Sequence, residues 1–187
     1  MPTRTVSFAT SNEHKFREAA LILSDFGLSV TRIAEKGTEI QSDNVGAIAA
    51  FAARQTSSAL GLPLVVEDTG LFIDSLDGFP GPYASPVYKK MGLGGVLLLL
   101  KNESNRGARF ESGVAFCEPE KEAKIFVGSL EGSIAKTPAG VGGFGFDPIF
   151  IPEGSDKTLA ELSLDEKCSL SHRGKALGLF AKWYLAR

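Results

Sequence analysis

Leu64-Val-Val-Glu-Asp-Thr-Gly70 is an apolar run that ends in two adjacent carboxylates, a hydroxyl and a glycine. A buried strand reads this way when it delivers charge to the rim of a sheet. Such a carboxylate can ligate Mg²⁺ or activate a water; the plainer alternative is that both acids solvate a strand end. Side chains alternate along a strand, so Glu67 and Asp68 are expected on opposite faces, with at most one lining a given pocket. Glu39 becomes a second metal ligand if the chain folds it toward Asp68, and is a surface acid otherwise.

Three further stretches carry compatible chemistry. Thr10-Ser-Asn12 stands between a strand and a helix whose first turn holds Lys15. The free N–H groups and dipole of that terminus, with the lysine, make an anion site; simple capping would leave Lys15 in water. Gly140 to Pro148 is a glycine-rich loop bearing Phe144, Gly145, Phe146 and Asp147. Its rings could stack a base and Asp147 accept from a base N–H, or the rings could anchor the loop into the core. Gly140 to Gly145 formally matches G-x-G-x-x-G, but no strand leads in and prolines follow where a helix should open, which excludes a dinucleotide loop. No Gly-Lys-Ser/Thr is present, which excludes a Walker A loop. Ser171-His172-Arg173 opens the last helix, the wrong end for cations unless a polar ligand accepts their hydrogen bonds. Lys167 lies just upstream. An anion loop, two carboxylates, a stacking loop and a basic reader together describe a nucleotide site with Mg²⁺.

The elements that must position these groups follow from periodicity and turn chemistry. Thr5 to Ala9 reads as a strand, followed by a helix with Phe16, Ala19, Ala20, Leu23 and Phe26 on one face and Gly27 as its stop. Leu28 to Ile33 reads as a second strand ending near Lys36 and Gly37. A second helix shows Val45, Ile48, Ala49, Ala52 and Leu60 to the core. Beyond the central strand, Leu71 to Tyr83 is dense in turn formers and reads as an ordered loop or hairpin. A leucine-rich helix is expected over Gly92 to Lys101, then antiparallel strands over Arg109 to Cys117 and Ala123 to Ile134. A short helix is expected around Thr158 to Leu162, and a final helix capped by Ser169 or Ser171. The strand–helix alternation plus an antiparallel pair predicts an α/β protein with a mixed sheet.

At 187 residues, with 43% hydrophobic residues and no linker or repeat, the chain reads as one domain. A net charge of −2 gives no global basic field for nucleic acid. The N-terminus lacks an apolar h-region and the longest aliphatic run, Val96 to Leu100, is too short for a membrane, so a cytoplasmic protein is expected. Cys117 and Cys168 lack metal-ligand spacing and read as reduced, buried thiols; with His14 and His172 they make no zinc site.

The motifs Thr10-Ser-Asn12-Glu-His-Lys15, Glu39-Ile-Gln41, Glu67-Asp-Thr-Gly70, Gly78-Phe-Pro-Gly-Pro-Tyr83, Gly143-Phe-Gly-Phe-Asp-Pro148 and Ser171-His-Arg173 resemble, in order and spacing, the Ham1-like or inosine triphosphate pyrophosphatase family. The resemblance covers nearly the whole chain. It implies a two-lobed α/β protein, a long mixed sheet flanked by helices, and an active-site cleft between the lobes, usually in a homodimer. It implies hydrolysis of ITP, dITP and XTP to the monophosphate and pyrophosphate. By position it implies that Thr10, Ser11, Asn12 and Lys15 hold phosphates, Lys15 neutralising the leaving group. It implies Asp68 as catalytic base, Glu39 and Asp68 as Mg²⁺ ligands, and Thr69 bordering the site. Phe144, Gly145, Phe146 and Asp147 would form the base loop, and Lys167, His172 and Arg173 would read the base edge. One departure stands out: a phosphate-directed lysine common in the helix before the central strand is replaced by Ala52, leaving Arg54, Lys89 or Lys90 to compensate. A nucleotide-binding sensor without hydrolysis, and a Maf-like pyrophosphatase of other preference, are the competing readings.

Overall fold

β1 (Arg4–Ala9) leads through α1 (Glu13–Ser24) to β2 (Leu28–Ile33), which pairs with it in parallel. The computed structural model describes residues 4–35 and 37–187; residues 1–3 and Lys36, near which the second strand was to end, lie outside the described residues. α2 (Val45–Leu60), capped by Asn44 and closed by Gly61 at φ 65°, returns to β3 (Leu64–Ile73) on the other side of β1. β3 runs antiparallel to β5 (Gly107–Cys117), β5 to β6 (Lys124–Ile134), and β6 to β7 (Phe150–Pro152). β4 (Pro80–Gly81) folds back on the end of β3, completing a seven-stranded mixed sheet ordered β2-β1-β3-β5-β6-β7. α3 (Ala84–Leu99), α4 (Leu164–Leu170) and α5 (His172–Leu185) complete the chain.

Three boundaries correct the sequence expectations. The central strand does not end at Gly70, because Leu71, Phe72 and Ile73 keep their pairing to Phe110, Arg109 and Ala108 of β5. The expected hairpin is present beyond it, as β4. The leucine-rich helix starts at Ala84, and Gly92, its expected first residue, is instead a break inside it (φ 62°, ψ −167°). Lys167 lies on a helix of its own, α4, nucleated by a reciprocal cap between Ser163 and Glu166. Ser171, not Ser169, caps α5, and it also terminates α4. One tight turn therefore sets Lys167, His172 and Arg173 side by side.

The core explains the two lobes. At one end of the sheet, α1 and α5 cover Val6, Phe8, Val65 and Val114, while α2 covers Ala9, Leu64, Val66 and Ala115 on the opposite face. At the other end, the distal halves of β3, β5 and β6 pack Leu71, Ile73, Phe110 and Leu130 against Val96, Ile149, Phe150 and Leu159. The long strands belong to both lobes and span the space between them. Two glycines on them permit close docking: a Cβ on Gly113 would lie 2.6 Å from the Gly46 amide of α2, and one on Gly128 would collide with the His172 carbonyl. Both cysteines are buried and free. Among the described residues no helix is long and apolar enough to cross a membrane.

Candidate active site

β1 stops at Ala9, opposite Val66, while β3 continues; β4 rejoins β3 only at Leu71. Glu67, Asp68, Thr69 and Gly70 therefore have a strand neighbour on the β5 side alone. The vacancy opens a cleft of about 920 Å³ at the carboxyl ends of parallel β1 and β3, where α1 and α2 depart to opposite faces and ligands of open α/β sheets bind. This corrects the expectation that only one acid lines the pocket. Pairing puts Asp68 with Gly113 on the α2 face and Thr69 with Ser112 on the α5 face, yet both Glu67 and Asp68 line the cleft, because it wraps around an open strand edge.

Every site residue singled out from the sequence lines this one cleft: Thr10, Ser11, Asn12, Lys15, Glu39, Asp68, Thr69, the Phe144–Asp147 loop, Lys167, His172 and Arg173. Their states differ from the simple picture. Two first-turn amides of α1 are already engaged, those of His14 and Lys15 donating to the Asn12 side chain, and the amide of Asn12 itself donates to Thr10 Oγ1. Asn12 is a local cap, leaving the dipole and Lys15 as the attraction for anions. Lys15 itself reaches across to Glu67, Nζ to Oε2 at 2.9 Å.

Glu67 does not solvate a strand end. It is 6% exposed. Its Oε1 accepts from Ser112 Oγ at 2.7 Å, from the Arg173 guanidinium at 3.1 Å and from Thr69 Oγ1. Burial pushes its carboxyl up, but the Arg173 and Lys15 charges outweigh burial and hold it well below the ordinary carboxylate range. Arg173 continues to Glu18, Glu18 to Lys167 at 2.7 Å, and Lys167 to Asp147 at 2.6 Å. The result is an alternating chain, Lys15–Glu67–Arg173–Glu18–Lys167–Asp147, running from the first turn of α1 to the glycine-rich loop through protein interior. Burial likewise opposes ionisation of Glu18, and its two cationic partners win; at Asp147 burial wins and pushes the carboxyl up, against Lys167 and the Phe144 amide that donates to it.

Above this chain Phe144 spreads its ring over Lys167 Nζ at 4.7 Å and stacks with His14 at 5.0 Å, while Phe146 turns into the core edge-on to Tyr88. Phe146 therefore takes the core-anchoring alternative, while Phe144 lines the cleft with its ring against His14. His172 stacks on Phe110 at 4.8 Å, and burial followed by the Arg173 charge holds its imidazole well below 6.5, hence neutral. Both its ring nitrogens and Arg173 Nε are buried with no hydrogen-bond partner among the described residues. Polar groups this deep are ordinarily satisfied, and since both residues line the cleft, it is the space from which water or a polar ligand would satisfy them. The depressed imidazole has a measurable consequence. Below 6.5 the unfolded histidine takes up a proton that the buried one refuses, so stability falls with pH through that range, by about 1.4 kcal/mol per pH unit. Urea midpoints at pH 7 and 5.5 should drop less in His172→Phe than in the wild type.

The spacing of these motifs is matched beyond this chain: the Ham1 family model covers residues 6–183. The chain belongs to the Ham1 family. It is 51% identical over 179 residues to the dITP/XTP pyrophosphatase of Methanopyrus kandleri, covering 96% of this chain and 95% of that one. It is 44% identical over 183 residues to the enzyme of the same name from Hyperthermus butylicus, covering 98% and 96%. Among solved structures, a HAM1 protein from Coxiella burnetii superposes with a TM-score of 0.86 at 31% identity, over 98% of this chain and 100% of that one. The Ham1 protein of Staphylococcus aureus gives 0.83 at 28% identity over 98% and 99%.

Within this Ham1 site two acids were missed as partners, Glu18 and Glu67. Glu18 is buried with Ala19, Ile22 and Leu23 on the inner face of α1. Of the residues proposed to stand in for the lysine absent at Ala52, Arg54 is turned to the surface and paired with Glu122 at 2.8 Å. Lys89 lines the cleft, as does Ala52 itself. As metal donors, Glu39 and Asp68 present hard oxygens to the same space. Among the described residues no group of three or more His, Cys, Asp or Glu could hold a metal by itself. That donor set fits Mg²⁺, which takes one or two protein carboxylates and completes its shell with phosphate oxygens and water.

Proposed function

We propose that this protein hydrolyses non-canonical purine nucleoside triphosphates, XTP, dITP and ITP, to the monophosphate and pyrophosphate. The observation that supports it best is the cleft at the end of β1. It brings Asp68 and Lys15 to one end, and the Phe144 ring with the unpartnered polar atoms of His172 and Arg173 to the other. The names of the relatives point the same way.

Asp68 takes the proton of the attacking water as the water adds to the α-phosphorus, and the bond to the bridging oxygen breaks to release pyrophosphate. Lys15, on the positive end of α1, offsets charge on the phosphates. Glu39 and Asp68 would hold Mg²⁺, which would supply charge neutralisation to the triphosphate. At the base end Phe144 offers a stacking surface, and the donors of His172 and Arg173 suit the O6 acceptor of hypoxanthine and xanthine. Adenine places an amino donor there and would leave those buried donors unpaired, a mismatch that can cost on the order of 10⁴-fold. Ion-paired Lys167 sets the height of Phe144 through its contact with the ring, and the chain acts as a homodimer in solution.

The test is pyrophosphate release from XTP, dITP, ITP, GTP and ATP, each with Mg²⁺ and with EDTA. Metal-dependent release from the first three, with little from GTP and ATP, supports the reading. Equal rates on all five keep the pyrophosphatase and discard the base-reading roles. Binding of ITP with no release makes the protein a sensor.

A further inference from the structure

The walls of the cleft are electrically committed before any substrate arrives. Three of the cations lining it are held by buried carboxylates: Lys15 by Glu67, Lys167 by Glu18 and Asp147, and Arg173 by Glu18 and Glu67. The Lys167 and Arg173 pairs are buried on both sides, so releasing either to a ligand would strand a buried charge, while Lys15, 16% exposed, faces the cleft with its charge already shared with Glu67. On the opposite side, the described residues of α2 that line the cleft are Ile48, Ala49 and Ala52, none of which carries a charge. A triphosphate bringing several negative charges therefore needs a cation the protein has not already spent.

Lys89 has that property. It lies in the first half of α3, lines the cleft, and has no ion pair among the described residues. Its neighbour Lys90 does not line the cleft, and Arg54 is tied to Glu122. The helix that carries it is lightly anchored: Ala84 and Val96 are the buried residues of α3, and its course breaks at Gly92. An ammonium on a flexible four-carbon stem from such a helix adapts to a mobile polyphosphate at little cost to the fold. The base end is occupied by Phe144, His172 and Arg173, and the α-phosphate position by Asp68 and Lys15, which leaves the outer phosphates for Lys89.

We propose that Lys89 is the residue that binds the pyrophosphate part of the substrate, supplied from α3 because the α2 wall at Ala52 carries no charge. The proposal rests on the functional reading above. The experiment compares the wild type, Lys89→Ala and Lys89→Arg, with Lys90→Ala and Arg54→Ala as controls. It measures KM and kcat for XTP and competitive inhibition by inorganic pyrophosphate and by a purine nucleoside monophosphate. Lys89→Ala should raise KM on the order of tenfold or more, as expected for a lost hydrogen bond to a charged group. It should weaken inhibition by pyrophosphate by the same factor, and leave monophosphate inhibition and Tm unchanged. Lys89→Arg should recover most of the loss, and both controls should match the wild type. Unchanged KM and pyrophosphate inhibition in Lys89→Ala, or equal weakening toward pyrophosphate and monophosphate, would overturn the proposal while leaving the pyrophosphatase intact. A wild-type protein that releases no pyrophosphate overturns the functional reading itself.

Discussion

Asp68→Asn is expected to lower kcat for pyrophosphate release by roughly 10²- to 10⁴-fold, the range associated with loss of a positioned general base. The substitution is nearly isosteric, and the Asp68 side chain is half-buried on a strand held along its length by β5. The fold should survive it. Glu67, its neighbour, cannot take over. Its carboxylate lies in the buried ion-pair chain and accepts from Ser112, Thr69 and Arg173, so it has neither the freedom nor the basicity to receive a proton. KM for XTP should change much less than kcat, because Phe144, His172 and Arg173 at the base end are untouched. Turnover near the wild-type value would remove Asp68 from the mechanism, whatever its place in the cleft.

The residues that could do this chemistry were legible in the sequence because each broke a local rule. An acid pair closing an apolar strand, cations at the positive end of a helix and aromatics on a glycine-rich loop are conspicuous without a structure. What escaped notice obeyed the rules of its own element. Glu18 looks like an ordinary charged residue in an amphipathic helix until its neighbours Ala19 and Ile22 are seen to be buried with it. The continuation of β3 past Gly70 depends on β5, some forty residues downstream, which no local pattern reports. The first half of α3 lay between the expected loop, which ended at Tyr83, and the expected helix, which began at Gly92, although its Pro86 sits in a first helical turn, where proline is tolerated. The two-faced cleft was hidden for the same reason: that β1 stops at Ala9 while β3 runs on is a property of pairing, not of either strand. Alternation correctly separated Glu67 from Asp68 and then misled, since an open edge lets both faces look into one space.

Arg173→Met should be the most destabilising single change in the site, at about 3–5 kcal/mol, the usual cost of removing one partner from a buried ion pair. For a chain of this size that corresponds to a fall in Tm of roughly 10 °C. Methionine fills a comparable volume, so the loss is electrostatic and not a cavity. Two acids are affected at once, since Arg173 bonds both Glu18 and Glu67 while being 1% exposed. The pH dependence separates this cause from poor packing. In the wild type, burial opposes ionisation of both acids but their cationic partners hold both below the ordinary 4.5. Their contribution is therefore complete above 4.5 and is lost as pH falls through the depressed folded values. Without Arg173 burial remains and pushes both carboxyls upward, so the penalty of holding them ionised is greatest at neutral pH and is relieved as they protonate. Urea titrations should show the gap between variant and wild type widest at pH 7 and narrowing toward pH 4; a gap independent of pH would mean that Arg173 acts through its shape and not its charge. Because the same side chain holds Glu67, which in turn holds Lys15, the variant should also weaken phosphate binding at the far end of the cleft. That would make the buried chain of charges the element through which the base end and the phosphate end of this site are kept in register.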